Sequence, residues 1–213
     1  MPQHPFPDGE LDWSGDNPGI YLKEAEGGPF LTLALWFRVV LSPHGKGNAL
    51  LLFEDPAREA AWPDVANFCL TDNEPLARYL VENFCTKFGA FQDAKAFAAL
   101  AYLPLLSHEI TGDNVETAAV AANGPDVLVE LTWNKLGTPL TADVLPAQSA
   151  TGRHEMYSVF VESAEATIEV NGRQLRGKPF QRPFLGRTLS SAFLALSETW
   201  LRSSRQGTGE AVE

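Results

Sequence analysis

The chain has 213 residues, 45% of them apolar and 20% charged, the balance of an ordinary soluble globular protein that can bury a core without staples. Its formal charge of −11 repels nucleic acid and anionic membrane at long range. No apolar run reaches the ~18 residues of a membrane-spanning helix; the longest, "FLTLALWFRVVL", is interrupted by Thr32 and Arg38.

The first 18 residues hold four prolines and four acids and read as an extended, loosely held arm. They have neither the basic start nor the apolar stretch of a secretory signal. Cys69 and Cys85 stand alone, outside any CxxC pair, and read as reduced, buried, small apolar residues. Together these features predict a cytoplasmic protein.

From Gly19 to Glu54 the pattern is β. In the long run beginning at Phe30, Leu31, Leu33, Leu35, Phe37, Val39 and Leu41 share one face; Phe30, Thr32, Ala34, Trp36, Arg38 and Val40 share the other. Both faces of that strand are therefore at least half covered. Gly45-x-Gly47 in the following loop precedes strand rather than helix. It reads as a hairpin loop, not a phosphate cradle.

Residues 56–101 change to a helical character. Leu76, Leu80, Phe84 and Phe88 recur at i+4, with Thr71 or Asn73 as the N-cap, Pro75 in the first turn and Gly89 as the stop. A second short helix is predicted after Asp93.

From Tyr102 onward β returns. Asn171-Gly172 is the strongest hairpin signal in the chain, because both residues accept positive φ. Val127, Val129, Leu131 and Trp133 alternate with Leu128, Glu130, Thr132 and Asn134. The segment 189–202 fits a strand slightly better than a helix. Residues after 202 read as a disordered tail.

These elements predict an α+β, mostly antiparallel β fold: a closed barrel or sandwich of about ten strands with a helical insertion near residues 56–101. The organisation is an arm over 1–18, a single β-rich domain over 19–202 and a tail over 203–213. The pattern resembles calycin-like barrels in architecture alone, which carries no function with it.

Three sets of residues carry chemistry. The dipeptide His-Glu occurs twice, as His108-Glu109 and His154-Glu155. Neither has the second histidine four residues on that a helical zinc motif needs. On strands, neighbours point to opposite faces, so the two histidines, or the two glutamates, would have to converge from different strands. If Gly112-Asp113 is a two-residue turn, Glu109 falls opposite Glu116.

The second set is a basic loop. Between Glu169 and Glu198 there is no acid, yet Arg173, Arg176, Lys178, Arg182 and Arg187 fall there. Without those five, 11 basic residues face 27 acidic ones, so the remainder carries −16. Arginine forks suit carboxylate or phosphate. The third set is the strand aromatics Trp133, Tyr157 and Phe160, which would line a cavity.

The leading expectation is a small-molecule-binding barrel for an anionic, partly apolar ligand, with Arg182 and Arg187 as anchors and Trp133, Tyr157 and Phe160 as lining. The alternatives are an enzyme built on His108, His154 and Glu155, with or without a metal, and a homo-oligomer whose arginine loop docks on a neighbour's acidic face. No catalytic residue or cofactor is assigned by the sequence.

Overall fold

The computed structural model of the chain describes residues 9–203. Strands β1 (Gly9–Asp16), β2 (Gly19–Lys23), β3 (Phe30–Leu41), β4 (Gly47–Phe53) and β5 (Asn67–Thr71) precede helix α1 (Glu74–Asn83). After 3₁₀ turns at Cys85–Lys87 and Lys95–Ala99 come β6 (Ala101–Pro104), β7 (Ser107–Gly112), β8 (Thr117–Gly124), β9 (Val127–Leu136) and β10 (Leu140–Val144). The remainder is β11 (His154–Val170), β12 (Arg173–Gln174), β13 (Gln181–Phe184), β14 (Arg187–Ser190) and β15 (Ala192–Ser203).

Thirteen of these strands form one sheet, whose main path runs β6-β5-β4-β3-β1-β15-β11-β9-β8-β7. Pairing is antiparallel except between β5 and β6. Of the expected closed barrel or sandwich, the closed barrel does not form. The path has two ends, and the sheet instead folds over on itself in a sandwich-like arrangement. The hinge of that fold is β11, the longest strand. β9 and β10, interrupted at Gly137, follow one another along one side of it. Its other side pairs with β15 through Glu162 and with β12 from Glu169. At the changeover, the buried Ser163 hydroxyl bonds the carbonyls of Asn134 and Glu165 at 2.7 Å each.

Period-two alternation then places two cores on the two faces of the same strands. Ile20, Ala34, Trp36, Leu50, Leu52 and Phe68 face inward, against Val120, Val129, Leu131, Trp133 and Ile168 of the opposing half. Two contacts close that interior: the Trp133 indole donates to the Gly19 carbonyl at 3.1 Å, and Trp36 meets His108 at 5.3 Å between ring centroids. Leu33, Leu35, Phe37, Leu51 and Phe53 face the other way and are covered by α1 and the turns after it.

The N-terminal segment departs from the expected loose arm. Gly9–Asp16 is a strand between β15 and β3, and Trp13 within it is fully buried. The acids that made it read as solvent-loving have partners: Asp12 takes His154 and Arg202, and Asp16 takes Arg38 Nε at 2.9 Å. The rest of the predicted arm and the tail after Ser203 lie outside the described residues. β1 also comes unusually close to β3. A Cβ on Gly15 would stand 2.0 Å from the Arg38 carbonyl oxygen. Gly15→Ala should therefore cost about 2–4 kcal/mol in urea unfolding; a loss below ~1 kcal/mol would show that the two strands can part freely.

The insertion over 56–101 is less helical than its pattern implied. It contains β5 and a single α-helix, capped by Asn73, whose Oδ1 accepts from Leu76 N at 3.2 Å. That helix ends at Asn83, well before Gly89, because Phe84 leaves helical geometry to pack against Trp13 and Trp200. The second expected helix is the 3₁₀ turn Lys95–Ala99. The Asn171-Gly172 hairpin forms with both φ positive, at 51° and 74°, and 192–203 is a strand. Among the described residues no helix is long and apolar enough to cross a membrane.

Candidate functional site

The β13–β14 hairpin does not join the large sheet. It lies against the face formed by β2, β11 and β15 and encloses with them a cavity of about 480 Å³, within the range of small-molecule sites. Tyr21, Phe160, Phe184, Phe193 and Trp200 supply much of its wall, and the chain around Gly89 and Ser149 completes it. The polar groups at this wall are few. Arg182, Asn17 and Glu198 are the three that matter below.

Arg182 projects from β13 among three rings, its guanidinium carbon 5.0 Å from the Phe184 centroid, 5.3 Å from Phe193 and 5.5 Å from Tyr21. The rings attract a cation through their quadrupoles. They do not satisfy its donors: Nε is buried without a hydrogen-bond partner, and the guanidinium makes no ion pair among the described residues. Burial lowers the pKa of Arg182, opposed by Tyr21; an arginine nonetheless stays charged at neutral pH. Guanidinium donors left free in this way are chemically able to take an oxyanion.

Glu198 reaches the cavity because β15 carries an extra residue. Tyr157 pairs with Thr199 but Val159 with Leu196, so β15 bulges at 197–198, and Ser197 takes a positive φ of 52°. The bulge reverses the alternation. Phe193 and Ala195 face the outer core before it, and Glu198 and Trp200 after it. Asp16 Oδ1 holds the bulge through Ser197 N at 2.9 Å. Glu198 is 3% exposed; its Oε1 accepts from Trp200 Nε1 at 2.7 Å and from Asn17 Nδ2 at 3.3 Å. Burial dominates and pushes its carboxyl up to about 7, against those two hydrogen bonds. Asn17 is likewise 3% exposed, and its Oδ1 has no partner.

Of the residues singled out in the sequence, Arg182 and Phe160 line this cavity. Arg187, at the hairpin's far end, is exposed. Trp133 belongs to the interior core between the sheet halves, on the other side of the sheet. Tyr157 donates to Glu155 away from the cavity. The basic loop is not one patch: Arg173 pairs with Glu54 at 2.8 Å, and the Arg176 carbonyl accepts from Thr32.

The two histidines do not converge. His108 lies on the interior side against Trp36, whereas His154 is fully buried on the outer core beside Phe84. His154 Nε2 meets Asp12 Oδ2 at 2.9 Å, and Nδ1 meets Thr151 Oγ1 at 2.9 Å. Asp12 also accepts from Tyr79 Oη at 2.5 Å and from Arg202 at 3.1 and 3.2 Å. Alone, burial would raise the Asp12 pKa; the bonds from His154, Tyr79 and Arg202 outweigh it and hold the carboxyl at about 2. That network ties β1, β11, β15 and α1 together. Glu109 lies opposite Ala121, not Glu116, because a longer turn joins β7 and β8, with Asp113 Oδ1 accepting from the amides of Val115, Glu116 and Thr117. Among the described residues no group of three or more His, Cys, Asp or Glu could hold a metal ion.

Sequence reasoning missed Glu198, Asn17 and Tyr21. Glu198 did leave a signal, as a single acid inside the strand-like run "FLALSETWL". Compared with protein-family models, with curated proteins and with solved structures, the chain matches none.

Proposed function

We propose that this chain is a small-molecule-binding protein that holds an anionic, partly apolar ligand in the cavity beneath the β13–β14 hairpin. Arg182 carries the reading. A guanidinium held among Tyr21, Phe184 and Phe193 with its buried Nε–H unspent costs stability unless an anion completes it. The aromatic wall supplies the apolar contact, and the ligand's carboxylate, or an equivalent oxyanion, bonds the guanidinium. The site is a cleft under a hairpin, not a barrel lumen, and one arginine of the expected pair serves it. Cys69 and Cys85, both buried and unlinked, fit the reducing cytoplasm in which we place the protein.

Octanoate and benzoate are suitable probes, with octan-1-ol and benzyl alcohol as uncharged controls. The acids should raise the melting temperature and the alcohols should not. Arg182→Met should weaken the acids about 10–100-fold in titration calorimetry, the worth of a charge-assisted hydrogen bond or two, with unchanged circular dichroism. Arg187→Ala should bind like the parent. Equal affinity for acids and alcohols, or full binding by R182M, would overturn the proposal.

A further inference from the structure

The cavity has a second polar station that an anion alone leaves unused. Asn17 turns its Nδ2 toward Glu198, so its Oδ1 is left as a buried acceptor without a donor. Both bonds that Glu198 accepts fall on Oε1; no described residue donates to Oε2. Asn17 Oδ1 is thus a buried acceptor without a donor, a state rarely left standing, and beside it on the cavity wall Glu198 takes no donor at Oε2 from the described residues. The bulge in β15 is what aims one of them there.

The two stations are apart. Arg182 sits over Phe193, and Glu198 lies five positions further along β15. At ~3.3 Å per residue, less the bulge, the backbones of Phe193 and Glu198 stand roughly 10–15 Å apart along the strand. The wall between them is apolar, with Phe160 and Phe193 upon it.

We propose, building on the Arg182 reading, that the ligand is amphoteric: a carboxylate on Arg182 and an ammonium on Glu198 and Asn17 Oδ1, joined by an apolar spacer. That backbone spacing favours an extended spacer over a single α-amino acid. An ω-amino acid of extended length, or a molecule with that spacing, fits. The ammonium supplies the donors that Asn17 and Glu198 lack, and the carboxylate supplies the acceptor that Arg182 lacks. Each buried group is thereby matched by the opposite charge or hydrogen-bonding sense.

Binding should then depend on pH. The groups facing Glu198 are Asp16 from β1, Tyr21 from β2, Cys85 from the turn after α1, and its two hydrogen-bond donors, Asn17 and Trp200. None of them is a cation, so the carboxyl holds its proton up to about pH 7. An arriving ammonium should expel that proton. Affinity should therefore rise with pH through about 7, and calorimetry in two buffers of different ionisation enthalpy should register proton release near neutrality.

The test compares 8-aminooctanoate, octanoate and octylamine by calorimetry at about pH 8.5, with shorter ω-amino acids down to 4-aminobutanoate. 8-Aminooctanoate should bind about 10-fold or more tightly than octanoate, and affinity should fall as the spacer shortens. Glu198→Gln should abolish that preference and the proton release. Octanoate binding as well as 8-aminooctanoate would overturn the amphoteric ligand and leave the Arg182 anchor standing. Octylamine binding while both acids fail, or no binding anywhere in the series, would overturn both.

Discussion

Glu198→Gln is expected to stabilise the protein at pH 8 by about 3 kcal/mol and to change little at pH 4. Burial holds the Glu198 carboxyl at about 7 in the folded chain, against an ordinary value of 4.5. Below the ordinary value both folded and unfolded chains carry the proton, and no penalty arises. As pH rises from 4.5 the unfolded chain releases it first, and stability falls until the folded carboxyl also ionises, near 7. At ~1.4 kcal/mol per unit the full loss is about 3 kcal/mol. Glutamine cannot ionise, and its oxygen can still accept from Trp200. Urea unfolding of both proteins at several pH values measures the difference. A wild-type profile that is flat between about pH 4.5 and 7, matched by its variant, would mean that the carboxyl is solvated or paired with a cation. A group that lowers stability and sits at a cavity wall is what a binding site retains and a purely structural core discards.

Asp12→Ala should have the opposite and larger effect, a loss of about 3–5 kcal/mol. Its carboxylate is the common acceptor for His154, Tyr79 and Arg202, and removal leaves the fully buried His154 Nε2 unpaired. The same carboxylate should give an acid limb to the stability curve. Its pKa is depressed from 3.8 to about 2, so its contribution of about 2.5 kcal/mol is present above 3.8 and disappears as pH falls through 2. Arg202→Ala should cost under ~1 kcal/mol, because that side chain is half in water. Urea midpoints for the variants read all of this. An Asp12→Ala protein within ~1 kcal/mol of wild type would show that the network is decorative. If the loss is as expected, the histidine that stood out in the sequence fastens the fold through Asp12.

Short-range patterns carried over well. Alternation in Phe30–Leu41 announced two covered faces, and two cores occupy them. Asn171-Gly172 announced a hairpin because few other dipeptides hold two positive φ values cheaply. Arg182 and Phe160, singled out from an acid-free basic stretch and an apolar strand, both line the cavity under the hairpin. The failures have a shared cause. Acid content made residues 9–16 look solvated, but Asp12 and Asp16 are answered by His154, Arg202 and Arg38, which are distant in sequence. Helical periodicity continued through Phe88, yet the fully buried Phe84 turns into the core after one short helix.

The sequence by itself determined the strand content, the doubly apolar staves, the tight hairpin and the presence of basic groups in an acidic protein, because each depends on neighbours within a few residues. Tertiary structure decided which of those groups share a space. Whether the sheet closes is set by pairing between strands far apart in the chain, and β11 folds it over without joining its ends. A single extra residue in β15 reverses which side chains face the cavity, and so brings Glu198 into the space that Arg182 enters from the hairpin. No local pattern encodes that inversion, because a strand's faces are defined only once its partner fixes the register.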